Sequence, residues 1–284
     1  MKFLIHDVRC NIEGYDRIAR LSSDLKPLWF EQIELDFSGC EWFDANMSAP
    51  LGVVLALAAD RINDVRLMNL RPGVESILSR NRFLLGYGYQ ERTDAYGSTL
   101  PYRRLQPDDA RYFSAYVDAN LERQRIPRMS DGLSRRFKDS ILEIFDNAAV
   151  HSETELGIFV CGQYFHKRHK LDFSIADAGI GIRRKIANEL GLKMPSHDAI
   201  AWALETGNTT RQGKIPGGMG LKIMREFIEI NRGRLQIVSD RGYWEQCDDG
   251  KLVHRRMDDS FPGTVINIEI NTADERSYRL SSEI

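Results

Sequence analysis

Leu133, Phe137, Ile141, Ile144 and Ala148 stand at spacings of four, four, three and four. That period lines one face of a helix, and a face so apolar must be buried. Ser130 or Asp131 is placed to cap its start. A long helix of this kind needs a sheet or further helices to cover it, and the next segment supplies candidates. LGIFVCGQYF and LDFSIA are separated by the charged turn HKRHK. Leu171, Phe173 and Ile175 alternate with Asp172 and Ser174, the pattern of a half-buried strand in a hairpin. A glycine-rich loop, a helix near Ala199, a polar segment and a helix from Leu221 to Asn231 follow, with Gly233 positioned to stop the last helix. RLQIVS, KLVHRRM and TVINIEI read as three closing strands.

The first hundred residues alternate short strands and helices. Ile33, Leu35 and Phe37 alternate with Glu34 and Asp36. The apolar run PLGVVLALAA is helix-length and opens on a proline, VRLMNL reads as a strand, and Pro72 opens a second helix. Strand, helix, strand, helix predicts a small α/β domain. The polar stretch GSTLPYRRLQPDDA sets a boundary, giving expected domains over 1–100 and 101–284.

With 284 residues, 42 % hydrophobic and 28 % charged, the chain has material for ordinary cores. Its formal net charge of -2 argues against broad attraction to nucleic acid or to an acidic membrane. The four cysteines are far apart, without metal-ligand spacing, and read as reduced thiols. The N-terminus lacks the apolar core of a signal peptide, and no run approaches a membrane span. The expected setting is the cytoplasm.

Three local patterns carry chemistry. In LEIFDNAAVHS, Glu143 and Asn147 are four apart and share one helical face beside the buried stripe. The Asn147 amide oxygen suits Mg²⁺, and Glu143 suits a base that orients or deprotonates water. Alone, the pair more readily describes a solvated helix face. In SIADAGIGI a strand delivers Asp177 to a loop holding Gly179 and Gly181. A carboxylate there can accept a hydrogen bond from an exocyclic amine, and the glycines allow close approach of a ligand. An ordinary strand-to-helix turn has the same letters. In GKIPGGMGLKIM, Gly217, Gly218 and Gly220 lead into the helix at Leu221, a natural phosphate cradle. The preceding ETGNTTRQGKIP, with Thr209, Thr210, Arg211 and Lys214, has the composition of a lid. Neither a Walker A loop nor a Rossmann turn is present.

In this order and spacing, the three patterns resemble the N, G1 and G2 boxes of the GHKL ATPases (gyrase, Hsp90, histidine kinase, MutL), over roughly Arg111 to Asn271. The resemblance implies an α/β sandwich with helices on one face of a mixed sheet. It implies Asn147 as magnesium ligand, Glu143 as catalytic carboxylate, Asp177 as adenine-reading acid, and Gly179 and Gly181 as glycines of the adenine pocket. It also implies Gly218, Gly220 and Leu221 at the phosphate turn, Thr210 in the lid, and Thr264 in FPGTVINIEI supporting the acid. The cofactors implied are ATP and Mg²⁺. A phosphoacceptor hairpin before the boxes and a transducer domain after them are not expected. His151 reads as a helix-end residue. The pattern is similar to the short anti-sigma-factor kinase branch.

LDFSGCEWFDANMSAPLGVVLAL, within Gln32 to Phe83, resembles a STAS domain. Phosphorylated STAS members carry a serine directly after the aspartate matching Asp44. Here that residue is Ala45, and Ser48 is displaced. A generic module for docking or dimerisation is the other reading. Two functions remain open. One is an ATPase or a protein serine/threonine kinase-like phosphotransferase whose nucleotide state regulates a protein partner. The other is a nucleotide-gated binding module that does not hydrolyse. ATP and a regulatory protein are the expected partners, and homodimerisation is left open. Membrane and nucleic acid are not expected.

Overall fold

The computed structural model of the chain describes residues 1–121, 126–151, 154–205, 208 and 219–279. Among them are eight α-helices and two sheets, a mixed α/β architecture. The order is β1 (Lys2–Leu4), α1 (Ile12–Leu25), β2 (Gln32–Asp36), α2 (Ser48–Asp60), β3 (Asp64–Met68), α3 (Pro72–Arg80), β4 (Thr99–Leu105), α4 (Ala110–Leu121) and α5 (Asp131–His151). Then come β5 (Ile158–Phe165), β6 (Lys170–Asp177), α6 (Ile182–Leu190), α7 (Ser196–Leu204), α8 (Met219–Asn231), β7 (Arg234–Gln246) and β8 (Leu252–Asn271). No helix among the described residues is long and apolar enough to cross a membrane.

Helix α5 forms where its stripe predicts. The Ser130 hydroxyl accepts the Leu133 N–H at 3.2 Å, so the serine is the cap. Leu133, Phe137, Ile141, Ile144 and Ala148 are all buried. Phe145 stacks on Phe113 of α4 at 4.4 Å, and Phe137 meets Phe227 of α8 edge-on at 4.9 Å. At about 1.5–3 kcal/mol per fully buried large apolar side chain, this face rather than the helix's polar residues holds α5 in place. His151 ends the helix.

The five-stranded sheet runs in the order β4-β5-β6-β8-β7, and all four pairings are antiparallel. A mixed sheet was expected. Strands β6 and β7 do run in one direction, but β8 inserts between them and replaces a parallel contact with two antiparallel ones. The last two strand candidates merge into the single strand β8. Pro262 and Gly263 are accommodated because the register shifts there, with Asp240 opposite Phe261 and Ser239 opposite Thr264. The polar stretch expected as a linker contains edge strand β4, so the second sheet begins at Thr99. Helix α8 ends with Arg232, not a glycine, in the left-handed region at φ 56°. Gly233 serves another purpose: a Cβ there would lie 2.2 Å from the Glu269 carbonyl.

The largest difference from expectation is the back of this sheet. Leu171, Phe173 and Ile175 of β6 face the α4–α5–α8 layer. Asp172, Ser174 and Ala176 face the other way, and they are equally buried. Helices therefore cover both faces. Helices α1 and α2 of the first part lie across the back, and Phe159, Cys161, Ala176, Val238 and Val265 share a core with Leu35, Val54 and Leu67. Helix α2 is apolar on nearly every side because it lies between two sheets. Beyond α1 and α2 is the parallel sheet β1-β2-β3. The layers run sheet, helices, sheet, helices.

A polar row crosses the back face. The Asn46 amide, from the turn before α2, donates to Asn267 Oδ1 at 3.0 Å and Ser174 Oγ at 3.4 Å. Asn267 donates to Asp172 at 2.9 Å and to Gln236 at 3.2 Å. Gln236 reaches the Cys10 carbonyl at 3.3 Å and Tyr243 at 2.9 Å. Burial pushes the Asp172 carboxyl well above the usual range, and neighbouring Glu269 adds to the shift. Replacing Asn267 with alanine would strand several of these groups. Each buried polar group left without a partner costs about 1–3 kcal/mol. Asn267→Ala is therefore expected to lower the urea midpoint at unchanged m-value. An unchanged midpoint would mean that the row is solvated in solution.

Candidate functional site

Strand β6 ends at Asp177, which lies in register with Thr264 of β8 and is 5 % exposed. Its Oδ1 accepts the Gly179 N–H at 2.8 Å. Burial raises the carboxyl to about 7, opposed by the backbone N–H groups of Gly179 and Thr264. Gly181, at φ 76°, precedes α6. Two of the predicted residues, Gly179 and Thr264, thus hold one buried acid that sits at the edge of ionisation near neutrality. Such a carboxyl is suited to recognising a single hydrogen-bond donor in a site from which water is largely excluded.

Glu143 and Asn147 lie one turn apart on α5, both half-buried, while Asp146 between them is exposed. Their helix is tied to the Asp177 strand through the core, since Ile144 and Ala148 share it with Ile175. Gly220 and Leu221 fall in the first turn of α8. Thr210 and Gly218 lie outside the described residues. So does the expected lid, except for Glu205 and Asn208. No group of three or more His, Cys, Asp or Glu side chains that could hold a metal forms among the described residues.

Sequence reasoning missed the scaffold behind Asp177. Ser239, on β7, is buried and accepts the Ile182 N–H at 2.9 Å. Its hydroxyl also contacts the Gly263 carbonyl at 3.1 Å and Thr264 Oγ1 at 3.2 Å. Asp240, at the following bulge, accepts from Arg183 at 2.7 Å, Ser196 at 2.8 Å and Ser260 at 2.6 Å. These bonds fasten the loop after Asp177, the start of α7 and strand β8 to one point on β7. Strand patterning shows no sign of this, because a serine and an aspartate at a strand end read as an ordinary turn.

Gly263 does leave a signal in FPGT. Its φ is +132°, and a Cβ would stand 2.0 Å from the Asp177 carbonyl oxygen and 3.0 Å from the Gly179 nitrogen. Both neighbours are backbone, so no side chain can swing aside. No protein-family model matches the chain, and no curated protein matches it.

Gly263→Ala is expected to displace the Asp177 loop and lower the melting temperature by several degrees, since strain of this kind costs on the order of 1–3 kcal/mol. Gly250 also has positive φ, with open space around its would-be Cβ, and makes the control. Equal melting temperatures for the Gly263→Ala and Gly250→Ala variants would contradict the close approach.

Proposed function

We propose that the second part of the chain binds Mg-ATP as a GHKL-type protein and uses nucleotide state to regulate a protein partner in the cytoplasm. The observation that carries this reading is Asp177: a buried carboxyl at a strand end, paired with Thr264 and held by the Gly179 N–H. The adenine amine is the donor such an acid would accept. Gly179 and Gly181 would border the base, and Gly218, Gly220 and Leu221 would meet the phosphates at the start of α8. Thr210 would act from the lid.

The α5 pair fits the metal and the chemistry. Asn147 offers one hard oxygen, which suits an ion that completes its shell from phosphate and water. Bound there, magnesium would supply charge neutralisation for the phosphates. Glu143, one turn away on the same helix, would orient or deprotonate the acceptor, either water or a partner serine. Cleavage of the γ-phosphate is the primary reading. One observation favours the alternative, a gated module without turnover: α1 and α2 lie against the back of the same sheet that bears Asp177. A nucleotide that shifts β6 would be felt by the STAS-like module directly. In that module Ala45 stands in the phosphoacceptor place, and its N–H is held by Gln163 of β5.

The pH dependence has a defined sign. The folded carboxyl of Asp177, at about 7, lies above its ordinary 3.8. Its contribution to ligand-free stability is therefore full below the unfolded value and lost as pH rises through about 7. Adenine recognition needs the ionised form, so affinity runs the opposite way. The ratio of wild-type to Asp177→Asn affinity for Mg-ATP should rise about tenfold per pH unit up to about 7 and then level off. Taking the ratio cancels titration of the nucleotide itself. Isothermal titration from pH 5.5 to 8 reads it, and a flat ratio removes Asp177 from the site. Saturating Mg-ATP should also stabilise the protein by about 2.7 kcal/mol at a hundredfold excess over Kd, whereas GTP should not.

Glu143→Ala should retain Mg-ATP binding and lose about 10²–10⁴ in phosphate release or transfer. Asn147→Ala should lose the magnesium-dependent part of binding. Neither should unfold, because the helix is anchored by its apolar face. Tracing radiolabelled γ-phosphate separates the readings. Free phosphate or labelled protein supports cleavage, and tight binding with neither supports the gated module.

A further inference from the structure

The three-stranded sheet is open at β1. Its order places β1 at an edge, paired only with β2. The Met1 carbonyl and the Ile5 N–H are turned toward β2, bonding Glu34 at 2.7 Å and Asp36 at 2.8 Å. Backbone groups alternate along a strand, so those of Lys2 and Leu4 face outward. Alongside this edge runs a trough of about 350 Å³ between residues 2–6 and one face of α1. Arg17, Arg20, Leu21 and Asp24 recur on that helix face at helical spacing and line the trough. Its floor is apolar: Ile18, Leu21, Val8 and Phe43 are each buried. Its rim is cationic, with exposed Arg17 and Arg20 outnumbering Asp24. Helix α1 thus forms the other wall of the trough.

We propose that this trough is a docking site for an extended acidic segment of a partner protein, which adds to β1 as a fourth strand. Main-chain bonds to Lys2 and Leu4 would supply affinity. Period two would supply selection. Apolar side chains turned toward α1 would drop onto Ile18 and Leu21, and acidic residues at the rim of the trough would meet the exposed guanidinium groups of Arg17 and Arg20. Exposed edges of this kind are commonly blunted by lysine, bulges or a covering element. Here Lys2 is drawn sideways to Asp36 at 2.8 Å, which leaves the edge itself open. The inference does not depend on nucleotide binding.

The test uses the full chain and a fluorescent, end-capped hexapeptide of alternating glutamate and valine, read by anisotropy. Saturable binding that weakens as salt is raised is expected. Leu4→Pro removes an outward N–H at a position where an edge strand tolerates proline, and should weaken binding about tenfold. Arg17→Glu combined with Arg20→Glu alters only exposed helix positions and should weaken it at least as much. Far-UV circular dichroism and the melting temperature verify the fold of both variants. Four results would overturn the proposal: no binding by the probe, undiminished binding to a folded Leu4→Pro variant, undiminished binding to the arginine double variant, or equal binding of a peptide with lysine in place of glutamate. Sedimentation supplies a further one. A dimer of the free protein that Leu4→Pro dissociates would assign the edge to a second copy of this chain instead.

Discussion

The two-residue alternation of β6 is the constraint on which the other layers depend. This strand is the middle of five, and it has no wet side. Its odd-numbered apolar residues share the core beneath α5, its even-numbered ones face α2, and its last residue is Asp177. A shift of one residue would turn Phe173 into the polar row and Asp172 into the apolar core. Burial on both faces makes the register doubly determined, which suits a strand that must deliver one carboxyl to one place.

The first part of the chain is consequently a layer as well as a module. Its own sheet contributes Ile33, Leu35 and Leu67, but α2 finds the other half of its cover on β5, β6 and β8. The polar row adds direction to that contact. An apolar surface alone would let α2 slide, whereas the Asn46 amide has its partners at only one position. Any signal passed between the first part and the Asp177 end of the sheet has this short path, within a single shared core.

Much of this was legible before the coordinates. The α5 stripe, a cap at Ser130 or Asp131, the β5–β6 hairpin and the placing of Asp177 at a strand end all follow from spacing and residue type. Helix α1 was readable too: Tyr15, Ile18, Leu21 and Leu25 lie on one face behind the Asn11 cap. The strand before it has only three residues, too few for alternation to mark the unit. The back of the sheet was of another kind. Asp172 and Ser174 look like the solvent side of a half-buried strand, and alternation cannot say whether the polar side is wet. Only the long-range partner Asn46 decides that, and nothing local to β6 announces it. Ser239 and Asp240 were hidden for the same reason, since their significance lies in what reaches them from α6, α7 and β8.

Synthesis runs from the N-terminus, and the shared core does not respect that order. Val54 and Leu55 leave the ribosome more than a hundred residues ahead of Cys161 and Ala176, and about two hundred ahead of Phe261 and Val265. Until β8 emerges, the nascent first part holds an apolar helix covered on one side only. Contacts closed over such separations form late, and the exposed surface meanwhile invites aggregation or a chaperone. The first part completes its packing only once β8 has been made.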